Sequence, residues 1–231
     1  MTLTLLSGGA AQGLVTALAP QFKAETGADI DATFGAVGAM RDKLLAGAPA
    51  DMLILTASLI AELTQAGRVV AGSAADLGAV ATGVAVRSGD LAPAIGDADA
   101  LRAALRAADG IYFPDPKLAT AGIHFAKVLE RLGIADETAG RLRMYPNGAA
   151  AMRALADLKG GRPIGCTQVT EILNSPGVSL VGNLPRDFAL ATVYRLGITT
   201  EARSPDPARR LAALLTGEAT RDLRQRLGFG V

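Results

Sequence analysis

The chain has 231 residues, enough to bury a substantial core as one domain or as two smaller lobes. Half of it is hydrophobic and 19% is charged, the balance of a folded globular protein and not of a disordered one. A net charge of +1, 4% aromatic content and no tryptophan leave a nucleic-acid partner without its charge or its stacking surface, and a single Cys with a single His disfavours an internal disulfide and a transition-metal site.

Met1 leads directly into an apolar strand with no basic segment or cleavage signal, so the chain as written reads as cytoplasmic, or as periplasmic if a leader has been removed. No apolar run reaches the ~20 residues of a membrane helix, so no membrane insertion is expected.

Strand 3–6 runs into Ser7-Gly8-Gly9-Ala10-Ala11, and Leu14, Leu18 and Phe22 then recur on one helical face that Gly27 ends. Strand 30–34 leads through Phe34-Gly35 to a helix at 39–46. Gly47-Ala48-Pro49-Ala50-Asp51 precedes strand 52–55 and a helix at 58–66. This alternation predicts right-handed crossovers and a parallel sheet. Three strands thus end in small-residue turns that open helices, whose first N–H groups suit a small anion.

A long strand at 79–86 follows, then a helix near 98–107, strand 110–113, a helix at 121–132 after Thr120, and strand 142–145. Asn147 is the expected N-cap of a helix to Leu158. Strand 163–167, a short helix at 168–173, strand 178–181, a second long strand at 188–198 and helices at 206–215 and 218–227 complete the chain. Two α/β lobes joined by two long strands account for the order: 1–82 with 190–231 as the first lobe, 83–189 as the second, and hinges near 79–86 and 188–198.

The stretches QFKAETG (21–27), Phe34-Gly35, KLLAGAPADMLI (43–54), DPKLATAGIHFAKVLERLGI (115–134), Pro163-Ile164-Gly165 and Leu227-Gly228-Phe229 resemble the type II periplasmic solute-binding proteins of ABC transporters, in particular their molybdate-binding branch. The resemblance implies a two-lobed α/β fold, each lobe a mixed, mostly parallel sheet flanked by helices, with a ligand cleft between the lobes. It also implies a small anionic ligand, no cofactor, no metal, no nucleic acid, and a transporter permease as partner if the protein is exported. Carried over residue by residue, the ligand positions are Ser7, Gly8, Gly9, Ala10, Gly35, Ala36, Val37, Thr56, Thr120, Ala121, Gly122, Asn147, Gly148, Thr167 and Gln168.

The family's serines fall at Ala10 and Val37, and its ligand tyrosine at Gln168. A cradle of backbone amides is kept while hydroxyls are lost. With Thr170 and Arg41 or Arg153 nearby, this suits a small organic carboxylate. The stretch Ile164 to Glu171 resembles a divergent subgroup that includes aconitate isomerases. Two functions therefore stand side by side: capture of an organic di- or tricarboxylate or an oxyanion, or cofactor-free proton transfer next to a carboxylate, with His124 and Glu171 as catalytic groups.

Plainer readings accompany these. Gly8, Gly9 and Gly35 permit tight turns, His124 is a half-buried histidine and Glu171 an acid in a first helical turn. Cys166 is a small buried hydrophobe, Asp51 holds the turn before its strand, and Tyr112 and Tyr145 are packing residues or ligand donors.

Overall fold

A computed structural model describes Thr2–Gly230, which divide into two compact units: 2–80 with 192–230, and 81–191. In chain order the elements are β1 (Thr2–Gly8), α1 (Gln12–Thr26), β2 (Asp29–Gly35), α2 (Val37–Leu45), β3 (Met52–Thr56), α3 (Ala57–Gln65) and the long β4 (Ala75–Arg87). Then come α4 (Ala98–Ala107), β5 (Ile111–Pro114), α5 (Thr120–Arg131), α6 (Ala135–Thr138), β6 (Leu142–Tyr145), α7 (Gly148–Ala156), β7 (Ile164–Gln168), α8 (Val169–Leu173) and β8 (Val178–Asn183). The chain closes with β9 (Ala191–Ile198), α9 (Pro205–Thr216), α10 (Arg221–Arg226) and β10 (Phe229–Gly230). It passes between the units inside β4 and again at the start of β9.

In the first unit β1 lies parallel to both β2 and β3, as alternating strands and helices predict. β9 closes antiparallel on β3. The β3 stretch is buried throughout, which explains its unbroken apolar run. On α1, Leu14, Leu18 and Phe22 are buried, and Gly27 ends the helix at φ 70°, its N–H bonded to the Lys23 carbonyl at 2.8 Å.

Asp51 pins three segments of this unit. Its Oδ2 accepts from the Thr4 N–H (2.8 Å) and hydroxyl (2.9 Å), and its Oδ1 from the N–H groups of Arg203 (2.6 Å) and Ser204 (2.8 Å). Burial pushes this carboxyl up, yet the bonds from Thr4, Ser204 and Arg203 outweigh burial and hold it below its ordinary value. The sequence expectation that Asp51 holds its turn agrees with this geometry.

In the second unit β5 is parallel to β6 and β7, while β4 pairs antiparallel with β7 and β8. Both faces of this sheet are covered. One carries Val84, Leu101, Leu105, Phe113, Phe125, Val128 and Phe188; the other carries Ala85, Tyr112, Met152, Leu155 and Ile172. Phe113 and Phe125 meet edge to face at 5.3 Å.

Several boundaries differ from the sequence expectation. β4 begins at Ala75, earlier than 79, and α2 begins at Val37, earlier than 39. The stretch from 188 is not all strand: Arg186–Phe188 form a 3₁₀ turn that buries Phe188, and β9 starts at Ala191. The last helix is split as well. The Thr220 hydroxyl donates back to the carbonyls of Leu214 (2.8 Å) and Gly217 (2.9 Å), holding 218–220 as a 3₁₀ turn before α10.

Candidate functional site

The first N–H groups of any helix lack intrahelical acceptors, so what meets them decides whether an outside anion can bind. In the first unit, β1 ends at Ser7 and Gly8. Ser7 is fully buried and its hydroxyl donates to the Gly8 carbonyl at 2.9 Å, so it faces its own chain. A Cβ on Gly8 would stand 2.8 Å from Val37 Cγ1; the glycine is there to let the β1 end meet the α2 start. Gly9 and Ala10 lie in the 3₁₀ turn that leads into α1, and that turn has no side-chain cap.

α2 starts after Ala36, again with no side-chain cap; the Met40 N–H bonds the Ala36 carbonyl at 3.0 Å, and the N–H groups of Val37, Gly38 and Ala39 have no acceptor within the helix. A Cβ on Gly35 would press only on the tip of Met40, a soft neighbour. Thr56 is different. It caps α3 by accepting from the Leu59 N–H (3.3 Å), and it shares a bond with the Ser58 hydroxyl at 3.0 Å. Ser58 was not among the expected positions; the signal for it was the Thr-x-Ser spacing at a helix start.

In the second unit α5 begins at Thr120 behind Ala119, without a side-chain cap, and presents Thr120 half-buried with Ala121 buried. Gly122 has a packing reason of its own. A Cβ there would overlap the carbonyl oxygens of Pro114 and Asp115, so the glycine sets α5 against the end of β5. His124 is the fifth residue of α5, beyond its first turn. Its Nε2 lies 2.7 Å from the Phe188 carbonyl oxygen; a carbonyl only accepts, so Nε2 carries the proton and holds the 186–188 turn.

α7 is capped twice from within. Asn147 Oδ1 accepts from the Ala150 N–H at 2.8 Å. The Glu171 carboxyl takes the N–H groups of Gly148 and Ala149 together with that of Gln168, and its Oε2 accepts from the Thr167 hydroxyl at 2.5 Å. Gly148 and Thr167, expected to serve an outside anion, meet a carboxylate of the protein itself, while Asn147 caps its own helix. Glu171 is 7% exposed, and burial pushes its carboxyl up more strongly than the Thr167, Gln168, Ala149 and Gly148 bonds pull it down.

Gln168 is 2% exposed, at the C-terminal end of β7, and among the described residues neither its Nε2 nor its Oε1 has a hydrogen-bond partner. Thr82 of β4 lies directly opposite it in register, and Thr170 is two residues further on; both threonine hydroxyls are buried and equally without partners among the described residues. An unpaired buried polar group costs roughly 1–3 kcal/mol, so three residues of this kind at one strand end need an explanation. Thr82 could not be found from sequence, because only the β4–β7 register places it.

Arg41 pairs with Asp42 at 2.8 Å and Arg153 is exposed. Tyr112 is buried and stacks on Tyr145 with ring centroids 6.0 Å apart, which is a packing role. A cavity of about 360 Å³ in the first unit is lined by Thr4, Ala48, Asp51, Arg68 and Glu201. It lies at the N-terminal ends of β1 and β3, away from the helix starts.

Residues 3–230 match the family described as bacterial extracellular solute-binding protein. The chain is similar to an aconitate isomerase from a Pseudomonas species, 28% identical over 226 residues that cover 94% of this chain and 83% of that protein. Among solved structures it is similar to the periplasmic molybdate-binding protein of Azotobacter vinelandii, with a TM-score of 0.82, 19% identity and 99% of each chain covered. The sulfate-binding protein SubI from Mycobacterium tuberculosis H37Rv is similar over 99% of this chain and 86% of its own, with a TM-score of 0.74 and 15% identity. The family resemblance and the fold class drawn from the sequence are borne out. Among the described residues no helix is long and apolar enough to cross a membrane.

Proposed function

Because this chain belongs to the bacterial extracellular solute-binding protein family, we propose that it captures a small organic anion, a di- or tricarboxylate, and delivers it to the permease of an ABC transporter outside the cytoplasm. The observation that carries the reading is the unpartnered Gln168 amide, with Thr82 opposite and Thr170 close in sequence. Ligands of open α/β sheets bind beyond the carboxyl ends of the strands, and Gln168 ends β7. In the same unit the uncapped start of α5 supplies amides of the kind that carboxylates accept. Neutral donors of this type fit a delocalised carboxylate without a matching Lys or Arg.

Calorimetric titration with molybdate, tungstate, sulfate, phosphate and a panel of di- and tricarboxylates tests this. Saturable one-to-one heats from at least one carboxylate are expected. Silence across the panel ends the reading.

A second reading is favoured by the similarity to an aconitate isomerase over 94% of the chain, together with the buried Glu171. In it a C–H bond beside one carboxylate breaks, the double bond moves one position, and the proton returns to the carbon at the far end. Glu171 would take and return that proton, while first-turn amides stabilise the charge that develops. His124 would act through Nδ1, since its Nε2 holds the Phe188 carbonyl. Incubation of trans-aconitate in D2O, followed by NMR, decides it: no deuterium uptake and no isomer formed leaves binding alone.

A further inference from the structure

We propose that Gln168 makes this protein select carboxylates that also carry a hydroxyl, at the expense of bare oxyanions and of deoxy analogues; the inference rests on the binding reading above. A carboxamide presents two unlike groups in one rigid plane, an NH2 that donates and a C=O that accepts. In Gln168 both ends are buried and both lack partners among the described residues, so whichever way round the amide sits, a donor group and an acceptor await matching. The Thr82 and Thr170 hydroxyls cannot discriminate, because each rotates to donate or to accept as the guest requires.

The amide oxygen is therefore the selective element. A carboxylate or a fully ionised tetrahedral oxyanion satisfies the NH2 and sets a second oxygen against Oε1, which is left unpaired and repelled. A guest with a hydroxyl beside its carboxylate fills both needs. Sites built to bond a hydroxyl reject analogues that lack it because their own polar group is then stranded. The neighbouring negative group, Glu171, is already held by Thr167 and the amides of Gly148, Ala149 and Gln168, so it leaves the Gln168 side chain to the guest.

Matched pairs test the proposal by calorimetry on the full chain: citrate against tricarballylate and malate against succinate, which differ only in one hydroxyl, with molybdate and sulfate alongside. The hydroxy member of the pair that binds is expected to be about tenfold to a hundredfold tighter than its deoxy partner, and the bare oxyanions weaker still. In Gln168→Leu the gap is expected to shrink to about twofold or less. Should that variant fail to fold, the wild-type ratios decide alone. Equal affinity for hydroxy and deoxy members, or tighter binding of molybdate or sulfate, overturns the inference while leaving anion capture intact, and so does a gap unchanged in Gln168→Leu. A panel silent throughout removes the binding reading itself and this inference with it.

Discussion

Gly148 and Glu171 occupy one space between them: a Cβ on residue 148 would overlap both Glu171 Oε2 and Thr167 Oγ. The glycine at the start of α7 thus admits a carboxylate from α8, which bonds the Gly148 and Ala149 N–H groups where an outside anion would otherwise sit. Gly148→Ala is expected to lose about 1–3 kcal/mol, because the carboxylate must leave its donors or the helix must shift. Urea denaturation checks this. The double variant Gly148→Ala/Glu171→Ala is expected to be less unstable than the two single losses added together; strict additivity would show that the two residues do not share the space.

Glu171 also sets a pH dependence. Its carboxyl is raised from an ordinary value of 4.5, burial being the dominant cause. The folded state therefore keeps the proton to higher pH than the unfolded chain does. More protons on the folded side means that stability falls as pH rises from about 4.5 through the raised value. Melting temperatures of wild type and Glu171→Gln between pH 4 and 8 read this directly: the difference should move in favour of the variant as pH rises. Parallel curves would refute it.

Asp51 behaves in the opposite sense. Its carboxyl is held below an ordinary value of 3.8, so its contribution is complete above that pH and is lost as pH falls through the lower folded value. Asp51→Asn sets an NH2 against two of the donors from Thr4, Arg203 and Ser204. A loss of about 2–4 kcal/mol at pH 7 is expected, narrowing toward pH 3. A variant as stable as wild type in neutral denaturant titrations would contradict the role assigned to this carboxylate.

Cys166 is fully buried on β7, and burial pushes its thiol up, far from the thiolate that reacts. Labelling by a chromogenic disulfide reagent is expected to be slow in buffer and to follow the unfolding rate, becoming stoichiometric in denaturant. Fast stoichiometric labelling of the native protein would show that this strand opens far more readily than its packing implies.

The sequence alone determined what depends on neighbours along the chain. The apolar face of α1 and its closing Gly27, the Asn147 cap, the turn role of Asp51 and the parallel order of β1, β2 and β3 were all legible, because periodicity, capping and βαβ handedness act over a few residues or one crossover. Family likeness added which helix starts to inspect. Only the tertiary structure decided what those starts meet. Glu171 reaches α7 across 23 positions of sequence, His124 holds a carbonyl 64 residues away, and Thr82 faces Gln168 through strand register. Composition and spacing do not encode such pairings. They arise when strands take their register and helices dock, and burial then obliges each polar group to find a partner or remain available to a guest.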